Sequence, residues 1–166
     1  VKLLTRALEL DPGYLAAFAE LAAMHVARGD YEAAEKIYRD AADYAPNDAT
    51  AQMAHGRILA ILKQWEASLV RLKRAAELEP ANADYRLQWA VSLQRLGRHE
   101  EALALLLEAE KLAPGNADIQ MSIGDSYRDT GRKPEAIAAY RRYLDLADAD
   151  AFMRPVAERF IELLSG

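Results

Sequence analysis

Four prolines, Pro12, Pro46, Pro80 and Pro114, follow one another at 34-residue intervals through a chain of 166 residues. A fixed period of this length constrains the fold more than any single motif. It marks a unit that recurs along the chain and buries its apolar face only by stacking on its neighbours. The phrases around the prolines repeat as well: "ELDPGYLAAF" at 9–18, "DYAPNDATAQ" at 43–52, "ELEPANADYR" at 77–86 and "KLAPGNADIQ" at 111–120. Proline lacks a backbone N–H and turns the residue before it away from helical geometry, so a helix ends at each one. Asp48, Asn82 and Asn116 then stand where a side-chain oxygen caps the next helix, and Asp84 and Asp118 bring negative charge to its positive end. Tyr14 occupies the capping place in the first unit and makes a weaker start.

A second break falls about halfway through each period, at Gly29-Asp30, Lys63-Gln64, Gly97-Arg98 and Gly131-Arg132. Glycine in three of the four accepts the left-handed backbone that closes a helix. Each period therefore reads as a helix, a tight turn and a second helix. Small or apolar residues recur at three- and four-residue steps on both, as in Phe18, Leu21, Ala22 and His25, then Ala34, Ile37, Tyr38 and Ala41. Composition agrees: 52% of residues are apolar, much of that alanine, while aromatics reach only 8%, which suits close-packed helices better than a sheet.

These residues resemble the tetratricopeptide repeat, whose pattern sets an aromatic, Leu-Gly and Tyr on the first helix and Ala, an aromatic and Pro on the second. The small columns carry the likeness: Ala22, Gly56, Ala90 and Gly124 on first helices, then Ala34, Ser68, Ala102 and Ala136, and Ala41, Ala75 and Ala109 on second helices. The bulky columns hold Leu21, His55, Trp89 and Ile123, with Tyr38, Leu72, Leu106 and Tyr140. The resemblance implies an all-α fold, a right-handed superhelical solenoid of helix-turn-helix repeats. Residues 1–14 would be the second helix of a truncated unit, followed by units 15–48, 49–82, 83–116 and 117–150, with 151–166, "AFMRPVAERFIELLSG", as a C-terminal capping helix on a single solenoid domain. Three departures stand out. Gln52, Arg86 and Gln120 replace the early aromatic and are expected to be partly exposed. Tyr143 replaces a small residue and Asp148 a proline, so regular stacking should stop there. The chain begins at Val1 without a methionine and reads as a piece of a longer protein.

Several kinds of chemistry find no footing. The net charge of −5 is spread along the chain with basic residues mixed in, so no positive stripe points to nucleic acid. Without cysteine there are no disulfides, thiolate metal sites or thiol nucleophiles. Apolar runs such as "ILAIL" at 58–62 fall far short of the ~18 residues a membrane span needs, so the segment is expected to be soluble with no membrane insertion. His25 and His55 lie in core columns and His99 in a turn column, which makes packing roles the better reading than metal binding. "GDSY" at 124–127 has a serine after a glycine, but that glycine already belongs to the small column and no His-acid pair accompanies it. Asp125 and Asp129 share a helix face as an acid-base pair would. Arg128 and Arg132 beside them point instead to a solvated charged face. No phosphate loop or dinucleotide fingerprint occurs. No catalytic residue, metal or cofactor is therefore expected, and the chain is not expected to be an enzyme.

What remains is a second stripe on the first helices, about 100° from the core stripe at ~3.6 residues per turn. In proteins of the family this stripe lines a concave groove that holds a peptide or helix. Here the candidate binding residues are Met53, Arg57 and Ile61, then Leu87, Val91 and Arg95, then Met121, Asp125, Arg128 and Asp129. Met53, Leu87, Val91 and Met121 would form an apolar run, with the charged members fixing a partner's direction. The family's Lys, Asn and Arg clamp for acidic chaperone tails is absent, since the corresponding places hold Ala19, Ala23, Ala54, Asp84 and Gln88. The function so implied is a protein–protein interaction scaffold for a protein or peptide partner. Two alternatives stand beside it: a structural or targeting module of a larger enzyme, and a homo-oligomerisation module. Self-association would use the N-terminal face, where "LAAFAELAAMHVAR" has Glu20 as its only charge before Arg28.

Overall fold

The computed structural model describes residues 2–11, 13–148 and 150–166; Pro12, the first of the four spaced prolines, and Val1 lie outside the described residues. Among the described residues there are ten helices and no strand. They run α1 (Lys2–Leu10), α2 (Leu15–Ala27), α3 (Tyr31–Tyr44), α4 (Ala49–Ile61) and α5 (Trp65–Leu78), then α6 (Ala83–Arg95), α7 (His99–Leu112), α8 (Ala117–Asp129), α9 (Lys133–Leu146) and α10 (Arg154–Ser165). The helices group into two compact units, Val1–Pro80 with α1–α5 and Ala81–Gly166 with α6–α10. Within each unit every helix packs on the next, and in the second α6 also touches α8.

The helix starts follow from the residues that precede them. Asp48 accepts from the Ala51 amide at 2.7 Å, Asn82 from the Asp84 and Tyr85 amides, and Asn116 from the Ile119 amide. Tyr14 makes no such cap before α2. At the mid-repeat turns Gly29, Gly97 and Gly131 have φ of 75°, 73° and 77°. Lys63 holds the same left-handed geometry at φ 60° with a side chain, a conformation that L-residues rarely adopt.

The core lies where the small columns place it. Ala22, Gly56, Ala90 and Gly124 on first helices are buried, as are Ala34, Ser68, Ala102 and Ala136 on second helices. An added Cβ on Gly56 would lie 2.7 Å from the Leu72 side chain, and one on Gly124 would lie 2.5 Å from the Tyr140 ring. Only residues without a side chain let these helices come so close. Ser68 fits its column by turning its hydroxyl to the Gly56 carbonyl at 2.8 Å.

Two of the expected exposures are corrected. Gln52 and Gln120 are each only 2% exposed. A carboxamide can replace a buried aromatic when its hydrogen bonds are met. Gln52 Nε2 donates to the Ala42 carbonyl at 3.0 Å while its oxygen accepts from Arg71 at 3.3 Å, and Gln120 donates to Glu110 at 2.8 Å. Arg86 is half-buried beside Glu108 at 3.4 Å. At the end of the second unit Tyr143 is buried in a cluster with Met121, Ala136, Tyr140 and Ala157, against which Val156, Phe160 and Leu164 of α10 pack. The large side chain that interrupts the small column thus serves as the seat of α10.

Gly124→Ala should destabilise the protein by about 1–2 kcal/mol, because overpacking against Tyr140 outweighs the gain in helix propensity. Gly115→Ala should be near neutral, since nothing lies within 4 Å of a Cβ there. Urea unfolding midpoints of the two variants test this.

Candidate functional site

In the second unit α6 and α8 form the two walls of a hollow of about 270 Å³ lined by Val91, Gln94 and Arg95 and by Ser122, Asp125, Arg128 and Asp129. Five of the residues selected by spacing therefore line one cavity. The walls are tied together by Gln94, whose amide donates to the Ser122 carbonyl at 2.7 Å and to Ser126 Oγ at 2.9 Å. Arg128 donates from Nη1 to Asp125 at 2.9 Å and from Nε to Asp129 at 2.8 Å. Asp125 also accepts from the buried Tyr140 hydroxyl at 2.8 Å. The Arg128 guanidinium lies 4.3 Å from the centre of the Phe160 ring on α10. Burial pushes the Asp125 carboxyl above its ordinary range, against the opposing pull of its bonds to Tyr140 and Arg128, and burial likewise raises the Tyr140 hydroxyl. Arg95 stands exposed at the rim, with no partner among the described residues.

Two family models, each described as Tetratricopeptide repeat, match this sequence: one over residues 1–58, the other over 63–116 and 87–151. The chain belongs to the tetratricopeptide-repeat family. No sequence among the curated proteins matches it. Among solved structures it is similar to YrrB, described as a TPR protein with an unusual peptide-binding site, at 24% identity over 94% of this chain and 80% of that chain with a TM-score of 0.80. It is similar to the TPR protein TTC0263 of Thermus thermophilus at 24% identity over 97% and 88% of the two chains, TM-score 0.78. MamA from Desulfovibrio magneticus RS-1 aligns at 16% identity over 91% and 93%, TM-score 0.74. At these identities the likeness is one of fold.

The other selected positions of this tetratricopeptide-repeat chain are placed differently. Leu87 and Met121, expected off the core, are only 6% and 7% exposed. Met121 joins the cluster under α10, so its side chain points inward rather than along an open face. Met53, half-buried, and Arg57 and Ile61, both exposed, lie on α4 of the first unit. Ser122 was not selected. Its signal is its place three residues before Asp125, on the same helix face. The charged face is also less solvated than the sequence suggests: Arg128 is half-buried, and Arg132 turns away to Glu100 at 3.5 Å and the Tyr127 ring.

The repeat's histidines have carboxylate neighbours. His25 Nδ1 lies 3.0 Å from Asp30, His55 Nε2 lies 3.0 Å from Glu35, and His99 Nδ1 lies 3.7 Å from Asp129. Among the described residues no group of three or more His, Asp or Glu side chains is arranged to hold a metal, and no helix is long and apolar enough to cross a membrane. Ser126 of "GDSY" is fully buried and accepts from Gln94, which accounts for it as a packing residue.

Arg128→Ala should lower unfolding stability by about 1–3 kcal/mol, since it strips Asp125 of a charged donor and Phe160 of its cation. Denaturant unfolding measures it. Burial holds the His55 imidazole below its ordinary value of 6.5, outweighing the bond to Glu35. The unfolded chain then takes up the proton first, so the stability this group contributes is present above that value and lost as pH falls through the depressed one. Unfolding free energies between about pH 5 and 8 should therefore decline more steeply toward acid in the wild type than in His55→Gln.

Proposed function

We propose that this chain is a non-catalytic interaction scaffold that holds a peptide segment or helix of a partner protein against the first helices of its repeats. The observation that carries this is the hollow between α6 and α8, where five residues chosen from repeat spacing line one cavity and Arg95 stands unpaired, among the described residues, at its rim. Val91 offers an apolar wall there. Arg95 offers a charge that a partner can meet without breaking an internal ion pair, and such rim charges select and orient partners. The carboxylates whose spacing suggests acid-base chemistry are both engaged by Arg128, which supports a recognition role over a catalytic one. The description of YrrB as having a peptide-binding site adds a precedent within the same fold.

Peptides selected from a displayed random library against the full chain should bind Arg95→Glu about tenfold more weakly, a loss of ~1.4 kcal/mol. They should bind Arg141→Glu, an exposed charge on α9, as tightly as the wild type. Titration calorimetry with both variants decides. Binding lost on Arg141→Glu and kept on Arg95→Glu would move the partner to the second helices and end this reading.

A further inference from the structure

The first unit has a hollow of its own, about 310 Å³, between α2 and α4. Ala16 and Ala19 form one wall, Thr50 and Ala54 the other, and Tyr38 of α3 lines it too. The repeat itself explains the space. Ala19 recurs 34 residues later as Met53, which is half-buried, and 68 and 102 later as Leu87 and Met121, both buried. Where the later repeats carry a long apolar side chain, the first has only a methyl group, and Ala19 is exposed. The charge of the hollow is one-sided as well. Asp48 is the only charged residue in the lining; its Oδ1 is taken by the Ala51 amide at 2.7 Å, and no hydrogen bond to its second oxygen is present among the described residues.

We infer that this hollow is a docking site for a leucine- or methionine-sized side chain of a partner peptide, carried next to a lysine or arginine that faces Asp48. The guest fills the apolar space beside Ala16, Ala19 and Ala54, and the carboxylate sets the sign of its neighbour. The inference rests on the reading of the chain as a peptide-binding scaffold, but not on the hollow between α6 and α8.

The test is amide NMR of the full chain titrated with the blocked dipeptide Ac-Leu-Lys-NH₂, with Ac-Ala-Lys-NH₂ and Ac-Leu-Glu-NH₂ as comparators. The first should shift Ala16, Ala19, Thr50 and Ala54 saturably, and the other two should bind about tenfold more weakly. Ala19→Leu fills the hollow from within, so it should lose the response while unfolding at the same or a higher denaturant concentration. Asp48→Asn keeps a capping oxygen and should erase the preference for Lys over Glu, which tests the site without refilling it. Equal shifts from all three dipeptides, no shift up to their solubility limit, or a full response in a folded Ala19→Leu would each overturn the inference. Shifts confined to α6 and α8 would overturn it as well while leaving the proposed function standing.

Discussion

The close approach of paired helices at residues without side chains governs the second unit. Because Gly124 has no Cβ, the Tyr140 ring can lie against the α8 backbone, and its hydroxyl then reaches Asp125 on the same helix. Asp125 and that hydroxyl both bond Arg128, and Arg128 in turn lies over Phe160 of α10. One missing methyl group thus fixes a chain of contacts that runs from a helix crossing to the wall of a cavity and on to the terminal helix. The polar geometry is a consequence of the apolar packing. Gly56 and Leu72 make the same crossing in the first unit, where Ser68 adds its hydroxyl bond to the Gly56 carbonyl.

A second theme is the use of polar side chains in places that apolar ones could fill. Gln52, Gln120 and His55 are all buried, each bonded to a partner contributed by another helix or by the turn beside it. A buried carboxamide that finds its partners favours one register over its neighbours, because any slip leaves the amide unpaired at a cost of about 1–3 kcal/mol. An array of similar units has many near-equivalent ways to pair. Such residues discriminate among them more sharply than another leucine would.

The helices, their caps and the small columns were legible because each rests on a local rule. A proline stops a helix, an aspartate or asparagine caps one, and a glycine opens a left-handed turn. Lys63 shows the limit, since its repeat position predicted the turn while its residue type argued against it. The candidate site was legible in part. Val91, Arg95, Asp125, Arg128 and Asp129 came from helical periodicity, which fixes the face of a helix. Periodicity does not fix how much of a face the neighbouring helices cover, and Leu87 and Met121 are buried. Nor does it say which charges find each other across helices. Arg128 could not be told from Arg95 by spacing, yet among the described residues one is held by four neighbours and the other by none.

The column of Ala19, Leu87 and Met121 bears on how such chains diversify. A duplicated repeat arrives with its interior already solved, and the sister copies keep the fold intact while one copy changes. Trading a large residue for a small one at a single column then opens space without inventing a new surface, and reversing the trade closes it again. At one and the same column, then, one copy of the repeat can serve packing while another leaves room for a guest.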